Sequence, residues 1–198
     1  MDKKTTEDIK TAVQVLNSGG VIAIPTETVY GLACDPRNAE AVKKIFAIKG
    51  RDDGKPLQLI ASSFSQVQAL ANLSKSELKI AKQHWPGPLT LLVDLKQDIK
   101  LAPQTCPNQT IGIRVTSSPI AGAIAEAFGY PIAATSANRS GMSPAVSGLG
   151  VVRAFQKYEH QPDFVLDIGA IDKNLPTTVA RIDKDGKAII YRQGEVKL

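Results

Sequence analysis

Apolar positions recur along this chain with two periods. Near the start, Ile9, Ala12, Val13 and Leu16 fall at i, i+3, i+4 and i+7 and predict a helix with one buried face. Thr5 and Asp8 have the spacing of a capping-box variant at its start, and Ser18-Gly19-Gly20 closes it. Val21–Ile24 is a short β-branched run, the pattern of a buried strand, which Pro25 ends because it has no N–H to donate. Thr26, Glu27, Thr28 and Tyr30 make the following stretch polar, and Gly31 leaves room for a turn or a close approach. Pro36 and Asn38 begin a second helix with Val42, Ile45 and Phe46 inward. It runs into a loop from Lys49 to Pro56, then a strand over Leu57–Ala61.

Short helices are predicted around Val67–Leu70 and Leu78–Trp85, with a rigid break at Trp85-Pro86-Gly87-Pro88. Leu89–Val93 is a strand and Lys96–Gln109 a loop. Ile111–Val115 is a strand in which Arg114 faces away from Ile113 and Val115. Ser118-Pro119 opens a helix that ends at Phe128 and Gly129. Pro131–Thr135 is a strand leaving through Ser136-Ala137-Asn138-Arg139-Ser140-Gly141. A helix over Val151–Lys157 and a strand over Phe164–Asp167 follow. The strands Thr178–Ile182 and Ala188–Tyr191 flank Asp185-Gly186, a hairpin signal. Helices and strands alternate and a hairpin comes last. This predicts an α/β fold, one domain over residues 1–198 with a mixed sheet flanked by helices.

Composition narrows the class. At 198 residues with 43% hydrophobic and 22% charged, the chain is an ordinary globular domain. No leader-like apolar stretch begins it and no run has the length of a membrane span. Cys34 and Cys106 match no metal spacing, so a reduced, cytoplasmic protein is expected. The net charge of +5 suits a polyanionic ligand, nucleotide or nucleic acid, and occurs equally in proteins that bind neither.

Several functional classes lack their signatures. There is no G-x-x-x-x-G-K-[ST], no G-x-G-x-x-G and no H-E-x-x-H. His84 and His160 stand alone, which argues against a histidine metal site or a Ser-His-Asp triad. Candidate chemistry lies at strand ends. Lys49, Arg51 and Lys55 share a glycine-bearing loop that either folds around phosphates or is a solvated basic loop partly neutralised by Asp52 and Asp53. Ser136 and Asn138 offer a hydroxyl and an amide at a strand exit. Arg114 on a strand needs either an anionic ligand or a structural ion-pair partner. Together these features outline a cleft for an anionic ligand.

Six segments occur in order: Pro25-Thr-Glu-Thr-Val-Tyr30-Gly-Leu, Lys49-Gly-Arg51 with Lys55-Pro-Leu, Trp85-Pro-Gly-Pro-Leu-Thr90, Ile113-Arg114-Val115, Ser136-Ala-Asn138 with Ser140-Gly141, and Arg192-Gln-Gly194. This set resembles the YrdC-like threonylcarbamoyl-AMP synthases, from the N-terminal helix to Gly194. The resemblance implies a twisted mixed sheet around a basic concave cleft. It implies a nucleotidyltransferase that makes threonylcarbamoyl-AMP and pyrophosphate from L-threonine, bicarbonate and ATP. The product would pass to a separate transferase complex for tRNA threonylcarbamoyladenosine modification. Threonine-contacting positions map to Thr28, Arg114, Ser136 and Thr178, with Tyr30 in the same motifs. Nucleotide-contacting positions map to Arg51, Lys55, Thr110, Asn138, Val146 and Arg192, with Lys49 beside them. Mg2+ is expected on the triphosphate, held mainly by phosphates and water, with no prosthetic group. Glu27 is the nearest candidate for a metal or amine contact.

Three departures from the family pattern stand out. Asp52 replaces a frequent proline, Ile60 stands where longer members carry a threonine-holding histidine, and Thr177-Thr178 replaces Ser-Thr. The chain resembles the short branch without the C-terminal domain and linker of longer members. Rival readings are an RNA-binding module, with tRNA or double-stranded RNA in the basic cleft, and a carbamoyl-transfer domain like that of hydrogenase maturation proteins. Aromatics at 5% are few for base stacking, and +5 is modest for a sequence-independent phosphate binder.

Overall fold

Residues 1–50, 55–172 and 174–198 are described by the computed structural model. The first helix, α1 (Lys3–Asn17), begins where the Asp2 carboxylate accepts the Thr5 N–H, and it buries Ile9, Ala12 and Leu16. Its cap is therefore Asp2 rather than the Thr5/Asp8 pair, because only Asp2 precedes the first turn and meets an orphan N–H.

The strand β1 (Ile22–Pro25) is followed at once by β2 (Tyr30–Cys34), and the two pair antiparallel from Ile22↔Ala33 to Pro25↔Tyr30. This corrects the expected polar exit. Only Thr26–Val29 is a turn, closed by Thr26 Oγ1 donating to Val29 O at 2.6 Å, and Tyr30 and Gly31 are ladder residues. Pro25 keeps its place in β1 as the terminal residue, where a missing N–H costs least.

Helix α2 (Ala39–Lys49) is capped by the Asn38 side chain and ends at Gly50, whose φ of 58° is left-handed. Then come β3 (Gln58–Ala61), α3 (Phe64–Leu70), α4 (Lys75–His84) with a Ser74/Glu77 capping box, and β4 (Leu89–Asp94). β5 (Thr110–Val115), α5 (Pro119–Phe128) and β6 (Ile132–Ser136) follow. α6 (Gly148–Phe155), β7 (Phe164–Val165) and the hairpin β8 (Thr178–Ile182) and β9 (Ala188–Arg192) complete the chain.

Among the described residues these strands form one mixed sheet in the order β7-β1-β2-β6-β3-β5-β4-β8-β9. The β3/β5, β4/β8 and β1/β7 pairs are parallel and the others antiparallel. One face packs Leu32, Leu59, Leu91 and Ile113 against Val42, Ile45 and Phe46 of α2 and Phe155 of α6. The other packs Ile22, Ile24, Ile60 and Ile132 against Ile9 and Leu16 of α1 and Ile120 and Ile124 of α5. Each such side chain contributes roughly 1.5–3 kcal/mol by leaving water. Helices α1 and α5 meet β1 and β3, so part of this second face lies beyond them. Register puts Ile60 opposite Arg114 on that face, with Gln58 one pleat away. No described helix is long and apolar enough to cross a membrane.

Candidate active site

The uncovered part of the second face is the floor of a cavity of about 470 Å³. Its walls come from the Thr26–Val29 turn, the start of β3, Arg114 of β5, the end of β6, and the segment before β8 with Arg192 of β9. Lys55, Arg114 and Arg192 line it, and no acidic or aromatic residue does among those described.

Arg114 is buried to 6% side-chain exposure, and its Nε donates to Glu27 Oε1 at 2.9 Å. The other carboxylate oxygen of Glu27 accepts from Thr116 Oγ1 at 2.9 Å. Burial alone would raise the Glu27 carboxyl. The Arg114 charge and the hydrogen bonds from Arg114 and Thr116 outweigh it and hold the group below its ordinary value. Glu27 is thus the structural partner of Arg114, and both of its oxygens are engaged. Arg114 has the structural ion-pair partner, and it also lines the cavity.

Thr28 is buried at the turn, with its hydroxyl 3.2 Å from Thr26 Oγ1. Ser136 ends β6 and donates to Asn138 Oδ1 at 2.6 Å. Both line the cavity, as does Lys55. On the opposite wall Arg192 donates through Nε to Thr177 O at 2.9 Å and through Nη2 to Thr177 Oγ1 at 2.6 Å. Partial burial, then the nearby Arg114 charge, lower the affinity of Arg192 for its proton. Two guanidiniums therefore face one space, and only Arg114 has a carboxylate partner among the described residues.

Other expected residues stand behind the walls. The Lys49 ammonium donates to Ser136 O, Asn138 O and Asn138 Oδ1 at 2.6, 3.0 and 3.2 Å, fastening the end of α2 to the β6 exit. Asn138 Nδ2 donates to Arg139 O and Met142 O, so its amide shapes the same exit. Tyr30 lies in the apolar core on the opposite face, with its hydroxyl donating to Gly169 O at 3.0 Å. Burial, first of all, pushes that phenol up. Thr178 is fully buried and donates to Val196 O, while its neighbour Thr177 faces the cavity. Thr110 pairs with Asp94 in the ladder, and the Val146 carbonyl accepts from Ile171 N–H. Arg51 and Asp52 lie outside the described residues.

The cavity also has lining that the charge and motif patterns did not single out, Gln58 and Asn174, and Thr177, noted in the sequence only as a departure from the family pattern, lines it too. Alternation with Leu57 and Leu59 was the available signal for Gln58. Asn174 had none. It donates through Nδ2 to Glu27 O at 2.9 Å and through its N–H to Thr28 O at 3.3 Å, tying its segment across the turn. Ile60, the histidine position of longer family members, lines the wall beside Arg114.

Hydroxyls and guanidiniums thus share one cleft on an α/β sheet. The family model for the Sua5/YciO/YrdC domain, described as "Telomere recombination", matches residues 14–194. The chain belongs to this Sua5/YciO/YrdC family. It is 36% identical over 176 residues to a threonylcarbamoyl-AMP synthase of Psychromonas ingrahamii, covering 87% of this chain and 91% of that one. A synthase of the same name from Nitrosococcus oceani is 38% identical over 150 residues, 74% of this chain and 80% of its relative. P. abyssi Sua5 complexed with L-threonine superposes with a TM-score of 0.83 at 32% identity over 94% of this chain. The chain spans about half of that longer protein, 54%. E. coli YciO superposes with a TM-score of 0.80 at 28% identity, over 94% of this chain and 88% of its own.

Proposed function

We propose that this chain, as one domain over residues 1–198, is an L-threonylcarbamoyl-AMP synthase serving threonylcarbamoyladenosine modification of tRNA. The observation that carries this reading is the pair of guanidiniums lining one cavity, Arg114 held by Glu27 and Arg192 held by Thr177, together with the Thr28 and Ser136 hydroxyls and Lys55. Arg114 with hydroxyls suits an amino acid that has a carboxylate and a hydroxyl, and Arg192 with Lys55 suits phosphates, with Thr177 between them.

The threonine amine attacks the carbon of hydrogencarbonate, an N–C bond forms and water leaves, giving a carbamate. A carbamate oxygen then attacks the α-phosphorus of ATP. The bond from that phosphorus to the bridging oxygen breaks, and pyrophosphate leaves with the electron pair. Such transfers need alignment and charge neutralisation more than a protein nucleophile. A site of cations and hydroxyls supplies both. ATP enters as its Mg2+ complex. Glu27 is engaged with Arg114 and Thr116 through both oxygens, and the phosphates and water carry most of the ion's coordination.

In this reading Thr28, Arg114, Ser136 and Thr177 contact threonine, and Arg51, Lys55 and Arg192 contact phosphates. Lys49, Asn138, Tyr30, Thr110, Val146 and Thr178 hold the walls. The product goes to a separate tRNA-modifying transferase. A cleft for RNA itself has less support, because no described lining residue is an aromatic platform for a base.

The test is pyrophosphate release from ATP by the purified chain without tRNA or partner protein, with the product identified by mass. Release should require both threonine and hydrogencarbonate. Equal release without threonine would sink the reading.

A further inference from the structure

One polar side chain on the cavity floor has no part in the scheme above. Gln58 opens β3 on the sheet face of Ile60 and Arg114 and lines the cavity. Its carboxamide oxygen accepts from Thr90 Oγ1 at 3.2 Å and from Thr177 Oγ1 at 3.4 Å. The two hydroxyls lie 3.2 Å apart, and Arg192 Nη2 sits 2.6 Å from Thr177 Oγ1.

The chemistry of these groups fixes the direction of the protons. A guanidinium only donates. Thr177 Oγ1 therefore accepts from Arg192 and from Thr90 Oγ1, and its own proton goes to Gln58 Oε1. The Gln58 amide atom that faces both hydroxyls is therefore an acceptor, its oxygen. The amide is thereby oriented with its oxygen on the threonines and its NH2 away from them. That NH2 has no hydrogen-bond partner among the described residues.

This arrangement bridges from β3 to β4 across the intervening β5. Gly112 makes the bridge fit. A Cβ there would lie 3.2 Å from Leu92 Cδ2, 3.3 Å from Thr90 Cγ2 and 3.6 Å from Gln58 Cγ.

We propose that the Gln58 NH2, between Arg114 and Arg192, holds the carboxylate oxygens of hydrogencarbonate and of the carbamate it becomes, an inference that rests on the synthase reading. The carbon atom supplied by hydrogencarbonate joins the threonine nitrogen to the nucleotide phosphorus. It must therefore sit between the two halves of the cavity. Gln58 stands there: Arg114, one pleat along on the same face, belongs to the amino-acid half, and the hydroxyl chain from Gln58 ends on Arg192 of the phosphate half. Glu27 cancels the charge of Arg114, so Arg192 leaves a net positive field that favours a small anion. A neutral amide adds directed donors. A lysine in its place would be a second amine competing with threonine for the same carbon.

The experiment measures pyrophosphate release in CO2-depleted buffer, with hydrogencarbonate varied at saturating threonine and ATP. The proteins are the wild type and Gln58→Met. The substitution removes one neutral hydrogen bond, so the KM for hydrogencarbonate should rise about three- to tenfold. The KM values for threonine and ATP should rise clearly less, because Gln58 reaches their contacts only through the Thr177 hydroxyl. Gln58→Glu keeps the size, replaces the donor with a carboxylate and should raise the hydrogencarbonate KM further; it also serves if the Met variant does not fold. An unchanged hydrogencarbonate KM, or a parallel rise of all three KM values, overturns the subsite. A wild type whose release is independent of hydrogencarbonate overturns the synthase reading and the subsite with it. A dependent wild type with unaffected variants overturns the subsite alone.

Discussion

The pair formed by Glu27 and Arg114 is the residue on which most of the site turns. Both side chains are under a tenth exposed. Such a pair is weak evidence for stability, since desolvation offsets much of the attraction, but breaking it leaves one charge stranded. Glu27→Ala should therefore destabilise the fold by about 3–5 kcal/mol. The double variant Glu27→Ala/Arg114→Met should cost less than Glu27→Ala alone. Denaturant titration checks this, and a double variant less stable than the single would refute it. The pH dependence has a definite sign. The Glu27 carboxyl is held below its ordinary 4.5, so its contribution is complete above that pH and is lost as pH falls through the lower folded value. Wild-type stability should fall more steeply than that of Glu27→Gln below about pH 4.5. Identical pH profiles would mean that the ion pair carries none of the acid sensitivity. For function, Arg114→Ala removes a charge-assisted contact of roughly 1.5–3 kcal/mol, a ten- to hundredfold loss in threonine binding. Calorimetric titration should find binding of a non-hydrolysable ATP analogue near normal.

At the scale of elements, strand parity decides what each residue faces. Alternation along β5 exposed Arg114 to view in the sequence, and most helices and strands fell where the apolar periods put them. β2 escaped because Tyr30–Cys34 is buried throughout and shows no alternation, and because its turn has no Asn-Gly or Asp-Gly signal. Thr178 was expected at the ligand, but one step along a strand reverses the face, so Thr177 lines the cavity and Thr178 bonds Val196 O. Lys49 was legible as a cation. That its charge serves three oxygens of another element depends on how α2 docks, which no local pattern encodes. The hairpin end offers a test. A Cβ on Gly194 would run into Pro176 O and come within 2.6 Å of Thr177 C and Thr178 N. Gly194→Ala should push β9 from the segment before β8 and cost about 1–3 kcal/mol. It should also weaken the ATP analogue more than threonine, because Arg192 grips Thr177 from that end. An equal loss for both ligands would separate Arg192 from the phosphate half.

At the scale of the molecule, the two halves of the cavity are parts of one sheet, so each ligand stabilises the whole. Threonine at a hundred times its Kd should add about 2.7 kcal/mol to unfolding. Arg114→Ala should abolish the shift caused by threonine and keep the one caused by the ATP analogue, as read by thermal melts; a lost analogue shift would mean the halves are not independent. The space itself is made by what is missing. Gly31 and Ala134 keep the floor low where the helices stop covering it, and Gly112 leaves room for the bridge from Gln58 to Thr90. Every glycine codon is one base away from alanine. A lineage can therefore disturb this floor by a methyl group at position 112 while every charged residue of the site stays in place, because that methyl would press on Leu92 and Thr90 and touch Gln58.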